Sequence, residues 1–181
     1  MKKSQRSFER IWREAESYPA GALVGEIRRL KESKKSHDKL LCLFLMRRRI
    51  AEGDPASTYL SLAKPLIRDS DSNCRWQAAI VVGESIATDP DAVWQVVVEH
   101  GEPKDEDMRS ALACVLLEHL LESDFDRYFS LLREEVTGGQ RWLLDVLSMC
   151  HVFGADAEDH KKKIAKYMRR ATRGLPHKKH R

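Results

Sequence analysis

The chain has 181 residues, 42% of them hydrophobic and 33% charged, with a net charge of +4. These values exclude a disordered chain and a small disulfide-stapled one, and the length suits one domain with its own core. No apolar run approaches the roughly eighteen residues of a membrane-spanning helix, so no membrane partner is expected.

The first segment, MKKSQRSFERIWREAE, is basic and lacks the continuous apolar stretch of a secretory signal, so a cytoplasmic protein is expected. Its apolar residues Phe8, Ile11, Trp12 and Ala15 recur at spacings of three and four, which predicts a helix over 4–17. Glycine and proline then punctuate the chain at Pro19/Gly21/Gly25, Gly53/Pro55, Pro90, Gly101/Pro103, Gly138/Gly139, Gly154 and Gly174/Pro176. Between these breaks the same period predicts helices over 20–33, 36–51, 56–67, 73–87, 90–100, 105–121, 124–135, 139–152 and 156–171. Several breaks supply a start signal. Asp89 precedes Pro90, Ser123 precedes DFDRYFSLL, and Asp156 with Glu158 puts acids where the helix dipole favours them. No segment carries a period of two, so the chain reads as all-α. Residues 1–172 form one domain and 173–181 a basic tail.

A repeat underlies the series. NCRWQAAIVVGESI (73–86) aligns with DMRSALACVLLEHL (107–120) at a shift of 34, matching Arg75 with Arg109, Ala79 with Ala113, Val81 with Val115, Glu84 with Glu118 and Ile86 with Leu120. A third copy at 140–154 places Arg141 and Trp142 beside Arg75 and Trp76, and a weaker one at 38–50 places Lys39 there. The run Pro65, Leu66, Ile67, Asp69, Asp71, Arg75, Ala78, Ala79, Gly83 resembles the HEAT-repeat family. That resemblance implies a right-handed α-α superhelix (solenoid) of about four HEAT-like helical pairs with capping helices at 4–17 and 156–171. It also implies binding of other macromolecules. In such a stack the second helix of each pair is covered on nearly all sides, which explains why an arginine opens an apolar run that contains Gly83. Arg75 and Arg109 are expected to hold the stack through turn acids such as Asp69, Asp71 and Asp105.

Residues of the second helices that share the remaining face would line a concave surface. They are Gln77, Glu84 and Thr88, with Ala111, Glu118 and Glu122 in the next copy, and Leu41 and Arg48 in the earlier one. A small, polar and acidic series of this kind suits a protein or peptide partner with a basic face. The expected function is thus a non-catalytic scaffold using Arg48, Gln77, Glu84, Glu118 and Glu122, with no cofactor.

Catalytic patterns are poor. The chain has no Gly-rich phosphate loop, HExxH or GxSxG. Glu118, His119 and Glu122 sit close on one helix, a combination that acid–base chemistry uses and that surface helices also carry by chance. The enzyme alternative is a HEAT-like DNA alkylation-repair glycosylase, for which Trp76, Trp142, Arg141 and Asp145 are of the right types. Against it, residues 51–159 carry −14 (8 Lys and Arg against 22 Asp and Glu), which repels phosphates.

The ends are basic: +8 over residues 1–50 (14 against 6) and +10 over residues 160–181 (10 against none). Lys161, Lys162, Lys163, Arg169 and Arg170 are therefore the candidates for nucleic-acid contact. Cys42, Cys74, Cys114 and Cys150 are widely separated and read as reduced core thiols. Cys114, His119, Cys150 and His151 lack zinc-site spacing, so no metal is expected.

Overall fold

The computed structural model describes residues 2–99 and 106–173, with side chains over 8–99 and 106–173. Gly101, Pro103, Asp105 and all but the first residue of the expected tail lie outside the described residues. Every regular element described is helical. In chain order these are α1 (Lys2–Ser17), α2 (Leu23–Leu30, entered by a 3-10 turn at Ala20–Ala22), α3 (Ser36–Ala51) and α4 (Ser57–Ala63, extended by a 3-10 turn at Lys64–Arg68). Then come α5 (Ser72–Gly83), α6 (Pro90–Glu99), α7 (Glu106–Ala111), α8 (Glu118–Ser123), α9 (Phe125–Thr137), α10 (Trp142–Met149) and α11 (Ala157–Thr172). A π-helical stretch at Leu112–Leu117 joins α7 to α8, and no sequence signal pointed to it.

Caps explain several of the starts. Asp71 accepts from the backbone N–H of Asn73 (2.9 Å) and Cys74 (3.3 Å), fixing the start of α5. Asp89 accepts from Ala92 N (3.1 Å) with Pro90 in the first helical position. At α9 the capping residue is Asp124, one later than expected, with its carboxylate on Arg127 N (3.1 Å). Ser123 instead turns back to the Leu120 carbonyl (2.8 Å), closing the preceding helix.

The core runs through the helices that are apolar all round. In α3 every residue from Leu40 to Met46 is buried, and in α5 Cys74, Ala78, Ala79, Val81 and Val82 are. A helix with no polar face must be covered on every side. α3 packs against α1, α2 and α5; α5 packs against α3, α4, α7 and the π stretch; the π stretch packs against α5, α6 and α10. α11 closes the far end, with Ile164, Tyr167 and Met168 on the core, His160 stacked on Phe125 (3.7 Å) and Tyr167 edge-on to Phe129 (5.6 Å). At Gly83 the close approach is measurable. A Cβ there would lie 3.3 Å from the Val115 carbonyl oxygen of the π stretch. The missing side chain is what lets these two backbones meet.

Polar clamps join successive helix starts. Arg75 donates through Nε to Asp107 Oδ2 (3.0 Å), reaches the same oxygen through Nη2, and gives Nη1 to the carbonyls of Asp69 (2.9 Å) and Ser70 (3.2 Å). Trp76 Nε1 and Ser72 Oγ fill the other Asp107 oxygen at 2.8 and 3.1 Å. Two helices earlier, in α3, Lys39 Nζ donates to Asp69 Oδ2 (2.6 Å). Arg109 departs from the expected role. It makes no ion pair among the described residues, and its Nε is buried without a hydrogen-bond partner.

Burial alone would raise the pKa of Asp107, but the bonds from Trp76, Arg75 and Ser72 outweigh it and hold the carboxyl below its ordinary value. Asp69 behaves alike. Burial pushes it up, and Lys39 with the Asp71 N–H brings it lower still. Both groups are thus more acidic folded than unfolded. Their stabilisation is complete above the unfolded value of about 4 and is lost as pH falls through the folded one. Melting temperatures followed from neutral pH into acid should show that loss, and Arg75→Ala should show less of it. At neutral pH Arg75→Ala should cost roughly 2–3 kcal/mol, the scale for bonds from a charged donor, or about 5–10 °C in melting temperature. Arg109→Ala should shift melting by far less.

Candidate functional site

α1, α3, the end of α5 and α8 line a chain of hollows that share one residue, Glu84. The first, about 480 Å³, is walled by Trp12, Phe44, Ile50, Ala51 and the guanidinium groups of Arg47 and Arg48. The second, about 650 Å³, is bordered by Ile86, Pro90, His119, Glu122, Arg127 and Tyr128. A smaller one of about 270 Å³ between them is lined by Ile80, Gly83, Val115 and His119. Glu84 lines all three.

The apolar end is rigid. Trp12 and Phe8 both meet Phe44 edge-on, at 5.0 and 5.1 Å between ring centroids. Trp12 nevertheless remains 37% exposed, the open aromatic of the hollow. Its Nε1 donates to Glu16 Oε1 (2.7 Å), and Arg47 lies over its ring at 5.6 Å while donating to Gln77 Oε1 (2.9 Å). Arg48 Nη1 takes the carbonyls of Ala15 (3.1 Å), Glu16 (3.1 Å) and Tyr18 (2.6 Å), and its Nε bonds Glu52 (2.9 Å). These carbonyls lie at and just past the C-terminal end of α1, where no intrahelical donor remains, so Arg48 both borders the hollow and fastens α1 to α3.

Glu84 differs from its neighbours. It follows the last residue of α5, is exposed, and has no hydrogen-bond or ion-pair partner among the described residues. His119 Nδ1 and Glu122 Oε2 are 2.7 Å apart beside it. Tyr128 gives its hydroxyl to Asp91 (2.9 Å), and burial first, then Asp91, pushes its pKa to about 12. It stays a neutral donor.

Of the residues expected on one open face, the structure brings Arg48, Glu84 and Glu122 to the hollows, leaves Thr88 exposed, and buries Leu41, Ala111, Gln77 and Glu118. Gln77 is 7% exposed and occupied by Arg47. Glu118 is 7% exposed and accepts from the backbone N–H of His151 (2.7 Å), tying α8 to the segment after α10. Helical spacing placed both on the right side of their helix. It did not show that a neighbour covers that part of it. Trp12, read as part of a core stripe, is the site residue that spacing missed. The cue was its place at the stripe edge opposite the run Arg47–Arg49.

Three of the four residues weighed for a base-excising enzyme are occupied elsewhere, while Asp145 is exposed. Trp142 is buried with Nε1 on Gln140 (2.8 Å), Trp76 is held by Asp107, and Arg141 caps the Ala171 carbonyl (2.8 Å). No group of three metal-ligating side chains occurs among the described residues. All four cysteines are free, and burial raises each thiol above its ordinary pKa, with Cys42 and Cys74 at about 12. They are not thiolates poised for attack. At the far end Lys161, Lys162 and Lys163 pair with Glu158 (3.0 Å), Asp159 (3.1 Å) and Asp126 (3.1 Å), whereas Arg169 and Arg170 are exposed. No helix described is long and apolar enough to cross a membrane. Comparisons with protein-family models, curated proteins and solved structures find no match to this chain.

Arg48→Ala removes three bonds to carbonyls at the end of α1 and should cost about 1–3 kcal/mol. The loss should be local. Hydrogen exchange should speed in α1 before it does in α5. Glu118→Ala, which orphans the His151 N–H, should lower the melting temperature by a similar amount, while Glu84→Ala should leave it unchanged.

Proposed function

We propose that the protein is a non-catalytic binding scaffold, a HEAT-like right-handed solenoid whose hollows around Glu84 receive a protein or peptide. The serial packing of α3, α5, the π stretch and α10, the Arg75–Asp107 clamp and the Gly83 approach support the solenoid reading. The observation that carries the binding reading is the unpartnered carboxylate of Glu84, set between an aromatic hollow and a polar one. Its charge is unspent inside the fold and available to a ligand. A hollow of about 480 Å³ has room for a large apolar side chain. The partner this suits presents a lysine or arginine to Glu84 beside an apolar residue for the Trp12–Phe44 floor. Four free thiols fit a reducing, cytoplasmic setting.

Affinity capture with the full chain tests this reading. Three baits are needed: wild type, Glu84→Lys, and Glu32→Lys as an equal charge change on an exposed residue away from the hollows. A partner held by wild type and Glu32→Lys should bind Glu84→Lys at least about tenfold more weakly, or 1.4 kcal/mol. Trp12→Ala should weaken the same partner. Partners retained equally by all baits would overturn the assignment of the surface.

A further inference from the structure

At the opposite end of the helix series, α9 and α11 enclose a cleft of about 350 Å³ that the scaffold reading leaves unused. Its cations are Arg133 of α9 with Lys163, Lys166 and Arg170 of α11, and Asp126, Phe129, Ser130 and Tyr167 complete the wall. Lys163 is paired with Asp126. Arg133 lies over the Tyr167 ring at 5.7 Å and has no carboxylate partner, and Lys166 and Arg170 have none either among the described residues. Residues 163, 166, 167 and 170 fall on one face of α11, spread along roughly 10 Å of its axis. Lys166 and Arg170 are a like-charge pair four apart, an arrangement that costs an isolated helix a few tenths of a kcal/mol. Asp126 neutralises Lys163, while Arg133, Lys166 and Arg170 share the cleft with no carboxylate partner among the described residues.

We infer that this cleft is a binding site for the sugar–phosphate backbone of nucleic acid. The composition separates that ligand from an acidic protein surface. Protein interfaces are built on apolar area and are depleted in lysine at their centres, whereas Phe129 here is 8% exposed and the half-buried Tyr167 ring lies under Arg133. Nucleic-acid contacts are polar, strongly positive and made mostly to phosphates. One partly covered aromatic cannot read a sequence, so the site is indifferent to base order.

Fluorescence anisotropy with the full chain, labelled single-stranded and duplex oligonucleotides of about 20 nucleotides, and a polyglutamate of matched length tests the proposal. Oligonucleotides should bind with a dissociation constant on the order of 10⁻⁴–10⁻⁶ M at physiological salt. With about three phosphates contacted, log K should fall against log salt with a slope of about −2 to −3. Arg133→Gln, Lys166→Gln and Arg170→Gln should each weaken binding several-fold and reduce the slope by about one. Lys34→Gln/Lys35→Gln, an exposed pair at the other end, should not. All variants alter exposed side chains, and unchanged melting curves establish that they fold. Tighter binding of polyglutamate would overturn the ligand. Binding that is absent, salt-insensitive or lost equally in the Lys34/Lys35 variant would overturn the site.

Discussion

Asp107 is the residue on which the arrangement of the middle of this protein turns. Its two carboxylate oxygens collect Arg75, Trp76 and Ser72 from the start of α5, although Asp107 itself belongs to α7. The apolar surfaces of α5 and the π stretch would pack adequately in more than one register, because van der Waals attraction is not directional. A partly buried guanidinium with several partners is directional. Lys39 with Asp69 makes the same kind of link two helices earlier, at a sequence separation of 30 against 32 for Arg75 with Asp107. A further step of 32 from Arg109 falls on Arg141, a cation. The ladder stops there. Arg141 turns to the Ala171 carbonyl instead, so the position that ends the repeat is the one that attaches α11.

Register fixed in this way determines where Glu84 stands. Gly83 sits against the Val115 carbonyl, leaving no room for a side chain. The next residue, Glu84, follows the end of α5 and enters the hollows beside this close approach. Its carboxylate meets no cation among the described residues. Arg47 is engaged by Gln77 and Trp12, and Arg48 by the end of α1. The same packing thus spends the nearby arginines on structure and leaves one acid unspent.

Much of the helical layout was legible in the sequence because periodicity and caps are local. Asp71 and Asp89 act where their position before an apolar run says they should, and α9 starts one residue late because Asp124 outcompetes Ser123 for the N-cap. The all-apolar runs of α3 and α5 likewise announced burial on every side. What failed was non-local. Gln77 and Glu118 have the spacing of an exposed face, yet whether Arg47 or the chain at His151 lies across them depends on how helices distant in sequence dock. Arg109 was matched to Arg75 by alignment, but a clamp needs an acid on the neighbour, and Arg109 meets none among the described residues. The π stretch packs against α5, and its apolar composition does not set it apart from an α-helix.

The uneven charge of the chain takes on meaning in this arrangement. The excess of acid over residues 51–159 includes the carboxylates bordering the hollows, Glu84, Glu122 and Asp124. The basic stretch after residue 159 supplies most of the cations of the α9–α11 cleft. Exposed charges separated by more than about 8 Å are largely screened at physiological salt, so each surface presents its own sign and not the near-neutral average. A ligand suited to one is repelled by the other. A basic peptide at Glu84 gains nothing at the cleft, and a phosphate chain in the cleft meets acid if it extends along the helices. Under both proposals, charge would direct a basic peptide to the Glu84 hollows and a phosphate chain to the α9–α11 cleft.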